Sequence, residues 1–236
     1  MNNFMRRIEM KKLLKFVVIV IILIAILFLF NIIRNVVIIN KIYSAEKIYK
    51  DINNCKTEYL NVSNIEQDDV VSKNKFIITK LREKTKIENF EYDKEKDSFR
   101  KVTTLIEEKI DNKIKKISIL HDTKEYSEYI EEKDYELPRP LMFFTNEDYL
   151  KNDLILNYLI KPIKENRSQY IIKILNEDDN VEYSYYINKN TLFMDKIVYE
   201  QDDSVFEKEY IIEVDTVTEN EFWFDLTEYK NINENN

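Results

Sequence analysis

QYIIKILNEDDNVEYSYYINKNTLFMDKIVYEQDD, residues 169–203, carries a period of two interrupted at clusters of Asn and Asp. Tyr170, Ile172 and Ile174 alternate with Ile171, Lys173 and Leu175. After NEDDN, Val181, Tyr183, Tyr185 and Ile187 alternate with Glu182, Ser184 and Tyr186. Period two sends successive side chains to opposite faces of a strand. Short Asn- and Asp-rich connections such as Asn188-Lys189-Asn190 join neighbouring strands as hairpins, which makes this tract an antiparallel meander. The rhythm continues through 192–200 and, after Gln201-Asp202-Asp203-Ser204, through 205–214. There Phe206, Tyr210, Ile212 and Val214 oppose Glu207, Glu209 and Glu213. Phe222-Trp223-Phe224 reads as a short closing strand.

Upstream the pattern is weaker. Strands are expected at 57–62, 75–80, 98–107, 113–120 and 125–131, some of them separated by charged turns such as 93–97 and Asp111-Asn112. Segment 63–74 has no periodicity and reads as loop. Leu137-Pro138-Arg139-Pro140 breaks the chain, because proline lacks an N–H and restricts its neighbour. A helix is expected next, capped by Thr145 or Asn146 with Glu147 and Asp148 in its first turn. It runs through Leu150, Leu154, Ile155, Leu156, Tyr158, Leu159 and Ile160 to Pro162. Its apolar residues cover more than one face, so it is either sandwiched in the core or offers a second face to a ligand or partner.

At the other end of the chain, residues 16–30 (FVVIVIILIAILFLF) contain no charge. With Leu13, Leu14, Ile32 and Ile33 the run reaches the roughly 20 helical residues that cross a ~30 Å hydrocarbon core. Arg6, Arg7, Lys11, Lys12 and Lys15 precede it against Glu9 alone, which by the positive-inside rule places residues 1–12 in the cytoplasm and everything after 33 outside. A cleaved signal peptide shares these features. Apolar character here persists through Val36, Val37, Ile38 and Ile39 with no small-x-small cleavage site after the run, which favours a retained anchor. Ile38, Ile42, Ala45, Ile48, Tyr49 and Ile52 then fall at helical spacing, predicting an amphipathic helix over 34–55 that docks on the following domain. The organisation expected is a tail at 1–12, a span at 13–33, this helix, an extracytoplasmic β-rich domain at 56–230 and a disordered end at 231–236.

Residues 1–40 hold six Lys/Arg against one Glu, a net of +5, so the −8 of the whole chain leaves −13 on residues 41–236. So acidic a domain is a poor nucleic-acid binder, which needs clustered Lys and Arg. It also repels anionic headgroups, leaving contact with lipid phosphates to the amino-terminal basic flank. There is no glycine, which removes phosphate-cradling loops and the G-x-S-x-G elbow, and hands turns with positive φ to Asn and Asp. The excess of Lys, Asn, Ile, Tyr and Glu fits an AT-rich bacterial genome. Cys55 is the single cysteine, so there is no intramolecular disulfide; it reads as a buried or idle thiol, ahead of a pairing between chains.

His121 is the one histidine, at a strand end, and reads as a structural or surface residue. One His and one Cys do not make a zinc site. Clusters such as Glu177-Asp178-Asp179 and Asp202-Asp203 read as solvated turns without the spacing and glycine of an EF-hand. No cofactor, metal or catalytic residue is expected, and the chain is read as a non-enzyme. Tyr183, Tyr185, Tyr186, Tyr199, Tyr210, Phe222, Trp223 and Phe224 lie on neighbouring expected strands. They are either cross-strand aromatic pairs in a core or the lining of an apolar cavity.

The order of elements resembles the LolA-like lipoprotein-carrier superfamily. The likeness lies in IYSAEKIYKDINN and TEYLNV, the helix after LPRP, the tract 169–203 and the ending FWFDLTEYK, spanning roughly residues 38–230. It implies an α+β fold: a curved antiparallel half-barrel with helices packed on its concave, apolar side. Carriers of that superfamily are soluble, whereas this chain has a span. The expectation is a membrane-anchored, non-catalytic binding domain holding a lipid, lipoprotein or other hydrophobic ligand at the outer membrane face. Leu154, Tyr158, Tyr183, Tyr185, Tyr210 and Phe222 would line the cavity, and residues 13–33 would contact the bilayer. A protein-interaction or sensor ectodomain of a membrane complex is the alternative.

Overall fold

The computed structural model describes residues 2–49, 52–65, 70–132, 163–176, 181–201 and 204–235. Helix α1, Asn2–Tyr49, is continuous. No proline interrupts it, and in hydrocarbon a helix satisfies the backbone of its many β-branched residues despite their modest propensity in water. Within it, 12–48 is long and apolar enough to cross a membrane, as a retained anchor or a signal sequence does. The large apolar side chains from Leu13 to Phe30 are exposed. Beyond Asn31 the helix changes character. Asn35, Ile38, Ile42, Ala45 and Glu46 are buried, a stripe at helical spacing.

Beyond α1, the described residues form chiefly one twelve-stranded open sheet. In chain order its strands are β1 (Asn54–Ile65), β2 (Val70–Leu81), β3 (Lys84–Asp93), β4 (Ser98–Ile110), β5 (Lys113–Leu120), β6 (Glu125–Glu131), β7 (Lys164–Glu165), β8 (Gln169–Asn176), β9 (Val181–Asn188), β10 (Met194–Gln201), β11 (Ser204–Val214) and β12 (Lys230–Asn231). They lie in the order β12-β6-β5-β4-β3-β2-β1-β11-β10-β9-β8-β7. Each pairing is antiparallel except β12 with β6. The two edge strands are two residues long, which blunts the sheet's edges.

The helix expected over 34–55 ends instead at Tyr49, with Asn54 and Cys55 already in β1, and Ile48 lies outside its buried stripe. The strand pattern departs from the sequence expectation in three places. Segment 63–74 is not a loop throughout: Ser63, Asn64 and Ile65 extend β1 and residues 70–74 begin β2. β3 was not expected. Charged residues take inward positions there in pairs, with Lys86 3.3 Å from Glu88 and Lys101 also bonding Glu88, so apolar alternation is weak in the sequence. Phe222-Trp223-Phe224 is not a strand. Glu219–Phe222 forms a 3₁₀ turn whose Glu221 carboxylate receives the Thr218 N–H at 3.4 Å, a capping arrangement that closes the segment on itself. Of the helices expected on one side of the sheet, α1 packs its stripe against strands, while the one expected at 145–162 lies outside the described residues.

Turns follow the glycine-free rule in part. Asp97, Asp111 and Asp215 take positive φ, but so do Arg82, Lys124 and Leu192. Tight connections such as that between β2 and β3 demand the left-handed conformation whatever residue is present.

Registers define two faces. On the first, Ile212, Thr57, Ile78, Ile87, Leu105 and Ser118 stand side by side across six strands. On the other stand Lys56, Thr79, Lys86, Ile106, Ile117 and Glu128. The segment 215–229 straps this second face. Asn54 exchanges two hydrogen bonds with the Val217 backbone (2.9 and 3.1 Å), Lys84 reaches Glu219 at 3.0 Å, and Lys86 Nζ donates to the Glu221 carbonyl at 2.6 Å. His121 then closes on Phe224 and Tyr229, and Lys124 on Glu228 at 2.9 Å.

Candidate functional site

On the first face the odd positions of β9 meet those of β10 and the even ones of β8 and β11. One row, Ile174–Tyr183–Tyr199–Phe206, runs across four strands. The adjacent row is Ile172–Tyr185–Ile197–Lys208. Strand spacing near 4.8 Å brings neighbouring rings into contact. Tyr183 and Tyr199 lie 4.9 Å apart between centroids, Tyr199 and Phe206 also 4.9 Å apart and almost parallel at 9°, and Tyr183 and Tyr185 6.3 Å apart. Tyr59 and Tyr210 form a separate edge-to-face pair at 5.3 Å.

α1 covers part of this face. Ile38 and Ile42 join Ile172, Tyr185, Ile187, Met194, Ile197 and Tyr210 in one buried cluster. The Tyr183–Tyr199–Phe206 row beside it is only half-buried. Burial holds the Tyr199 phenol above its ordinary pKa. For Tyr59 burial acts first, with Tyr210 and Cys55 adding to it. Both phenols therefore stay neutral at physiological pH, and the ladder offers ring faces without charge. Lys208 Nζ stands 6.0 Å from the Tyr199 ring at its rim. An open cleft of about 520 Å³ lies between Val37, Asn40, Lys41, Ser44, Ala45 and Ile48 of α1 and the turn Asn190-Thr191-Leu192.

The fold therefore brings Tyr183, Tyr185 and Tyr210 to one face, with Tyr185 and Tyr210 buried and Tyr183 half-buried. Phe222 stands apart from them, in the strap over the opposite face. Leu154 and Tyr158 lie outside the described residues. Sequence reasoning left Phe206, Tyr59, Ile38 and Ile42 out of the site, and named Tyr199 among the aromatic strand positions without assigning it to the cavity. A signal for two of them was present: Tyr199 and Phe206 are equidistant from the Asp202-Asp203 turn, so a hairpin must pair them.

The chemistry-bearing residues are engaged elsewhere. His121 bonds Thr104 Oγ1 through Nε2 and the Tyr229 hydroxyl through Nδ1, both at 2.9 Å, on the strapped face. Cys55 is on the other face, so the two make no dyad. Burial pushes the Cys55 thiol up to about 11, far from a nucleophilic thiolate. Glu88 is buried, which raises its pKa, but the hydrogen bond from Lys101 and the charge of Lys86 prevail and hold it low. That is an ion-paired carboxylate rather than a general acid. Among the described residues no group of three His, Cys, Asp or Glu could hold a metal ion.

His121 carries a stability prediction. Burial first, then the charge of Lys101, lowers its pKa. A histidine depressed on folding contributes stability that is complete above its unfolded pKa and lost as pH falls through the folded value. Acidification below about pH 6.5 is thus expected to loosen the strap. His121→Phe keeps the ring contacts with Phe224 and Tyr229 but orphans the buried Thr104 hydroxyl, costing about 1–3 kcal/mol. Hydrogen exchange of residues 218–231 between pH 7.5 and 5 checks both points. Wild type should open on acidification and the Phe variant should be open at both values; a pH-independent wild type contradicts the assignment.

No family model matches the chain, and no curated protein matches it in sequence. Solved structures do match it. A DUF1329 family protein from Desulfovibrio piger covers 82% of this chain and 97% of its own at 8% identity, with a TM-score of 0.30. A domain assigned as an outer membrane lipoprotein-sorting protein from Vibrio parahaemolyticus covers 77% and 94% at 8% identity, with a TM-score of 0.29. A LolA superfamily protein from Nitrosomonas europaea covers 74% and 92% at 8% identity, with a TM-score of 0.27. The structural neighbours thus include the superfamily whose resemblance the sequence carries.

Proposed function

We propose that this chain is a single-pass membrane-anchored, extracytoplasmic domain that holds a lipid, the acyl chains of a lipoprotein or another hydrophobic ligand, without catalysis. The observation that supports it is the half-buried ladder Tyr183–Tyr199–Phe206 beside the docked part of α1. Neutral stacked rings next to an aliphatic cluster suit an acyl chain, whose methylenes gain about 0.8 kcal/mol each on leaving water. The helix that crosses the bilayer is the same one that packs on this face, so a ligand has a short path from the membrane to the ladder. Basic residues before the span set the orientation in this reading. The LolA-like resemblance in the sequence points the same way.

A membrane-embedded full-length chain exposed to a diazirine-bearing fatty acid and light tests the proposal. Label is expected on peptides carrying Tyr183, Tyr199 and Phe206 as well as on the apolar span.

The second reading, an interaction or sensor ectodomain, is favoured by exposed apolar residues away from the ladder. Trp223 is 74% and Ile130 63% exposed, on the strap and on β6 respectively. One stoichiometric crosslinked membrane protein, with no label on the ladder, would decide for it.

A further inference from the structure

We infer that the β7–β8 hairpin is a headgroup-binding finger: Lys164 and Arg167, backed by Arg34 and Lys189, hold the phosphates of anionic phospholipids in the leaflet where α1 leaves the membrane. The inference rests on α1 being a retained membrane anchor.

Its height follows from the helix. Residues 13–30 rise about 27 Å, close to the ~30 Å hydrocarbon core, so Arg34 and Asn35 stand at headgroup level. The hairpin is tied to that level. The Ile163 N–H donates to Asn35 Oδ1 at 3.3 Å, and Arg34 bonds Glu165 at 2.6 Å. Lys189, from the β9–β10 turn, joins Glu165 at 2.7 Å and donates to the Asn166 carbonyl at 2.7 Å.

Its cations are grouped. Many cations on the strands face carboxylates: Lys75 pairs with Glu58, Lys116 with Glu107, Lys173 with Glu182 and Lys196 with Glu207, while Lys73 and Lys208 stand singly over tyrosine rings. Here Arg34 and Lys189 share the single Glu165, whose carboxyl the two cations hold below its usual range, Lys189 first. Lys164 and Arg167 are exposed and have no ion-pair partner among the described residues. The nearby carboxylate, Asp195, is engaged by Gln169 at 2.9 Å and Asn188 at 3.3 Å. Lys164, Arg167, Arg34 and Lys189 against Glu165 and Asp195 leave +2 around this hairpin of a domain that is otherwise acidic.

Its shape is set in advance. Asn166 Oδ1 accepts the N–H groups of Ser168 (3.0 Å) and Gln169 (2.7 Å), and the Lys189 N–H donates to the Ser168 carbonyl at 2.8 Å. A fixed turn loses little entropy on meeting a headgroup. The acidic domain is repelled by an anionic leaflet, and this hairpin offsets that repulsion at the point of closest approach.

The test uses the full chain in nanodiscs of phosphatidylcholine with or without phosphatidylglycerol. A fluorophore on Ser168→Cys, with Cys55 buried and unreactive, is quenched by spin-labelled headgroups. Quenching is expected to be stronger with phosphatidylglycerol, to fall with added salt, and to drop to the phosphatidylcholine level in Lys164→Glu/Arg167→Glu. The docked-to-undocked ratio should shift by about tenfold or more. Lys164→Gln/Arg167→Gln should fall between. Equal quenching in both lipids, indifferent to salt and to charge, overturns the inference while leaving the anchor intact. Failure of the chain to enter nanodiscs overturns the anchor and the inference with it.

Discussion

Ile42→Asp is expected to cost about 4 kcal/mol or more and to lower Tm by about 10 °C or more, whereas Ile48→Asp, six residues on, stays within about 0.5 kcal/mol. Ile42 is 1% exposed and Ile48 72% exposed, on the same helix. At position 42 the carboxylate would lie among Ile172, Tyr185, Ile187 and Met194, with no cation in the cluster to receive it. An unpaired charge in such surroundings carries a desolvation penalty of several kcal/mol. Ile42→Ala isolates the packing contribution at about 2–5 kcal/mol. Thermal melts of the full chain in detergent, followed by circular dichroism of the sheet, check the series. Equal melts for the two Asp variants would mean that α1 does not pack on the sheet.

The second large effect concerns where the folded domain begins. A chain beginning at Asn31 keeps Arg34, Asn35 and Ile38; one beginning at Lys41 loses all three. Losing them leaves the Ile163 N–H without Asn35 Oδ1, breaks the Arg34–Glu165 pair and strips Ile38 from the cluster. An orphaned donor costs about 1–3 kcal/mol and the lost burial of one Ile about 1.5–3 kcal/mol. The exposed ion pair adds little. The shorter chain is therefore expected to be less stable by about 3–6 kcal/mol, read as a lower urea midpoint. Equal midpoints would mean that the helix before Lys41 is only a tether.

Much of the strand pattern could be read from local rhythm. Residues 113–120 and 125–131 coincide with β5 and β6, where Lys and Ser are interspersed with Ile in the first and Glu and Ser with Tyr in the second. The alternation of β9 is also visible in its burial, with Val181, Tyr185 and Ile187 inside and Glu182 outside. β3 escaped because only Ile87, Phe90 and Tyr92 of its residues are apolar, and its charged positions are settled by pairs along the strand, as Lys86–Glu88, and from the next strand, as Lys101–Glu88. The order of the sheet was beyond local reading. β1 pairs with β11 through Cys55 and Val214, 159 positions away in sequence, and no periodicity reports such a partner. The same holds for the strap, where His121 meets Tyr229 108 positions away. Of the site, the tyrosines of β9 were legible as aromatic strand positions. The face they share with Ile38 and Ile42 was not, because it depends on where α1 turns its stripe.

The central claim, that the ladder receives an acyl chain, is tested most directly by photolabelling the full chain with the diazirine fatty acid and comparing it with Tyr183→Glu/Tyr199→Glu. The span serves as an internal standard, since it meets the probe in the bilayer whatever the domain does. The account predicts wild-type label on both the span and the peptides carrying Tyr183, Tyr199 and Phe206, and label on the span alone in the double variant. Label confined to the span in wild type would contradict it.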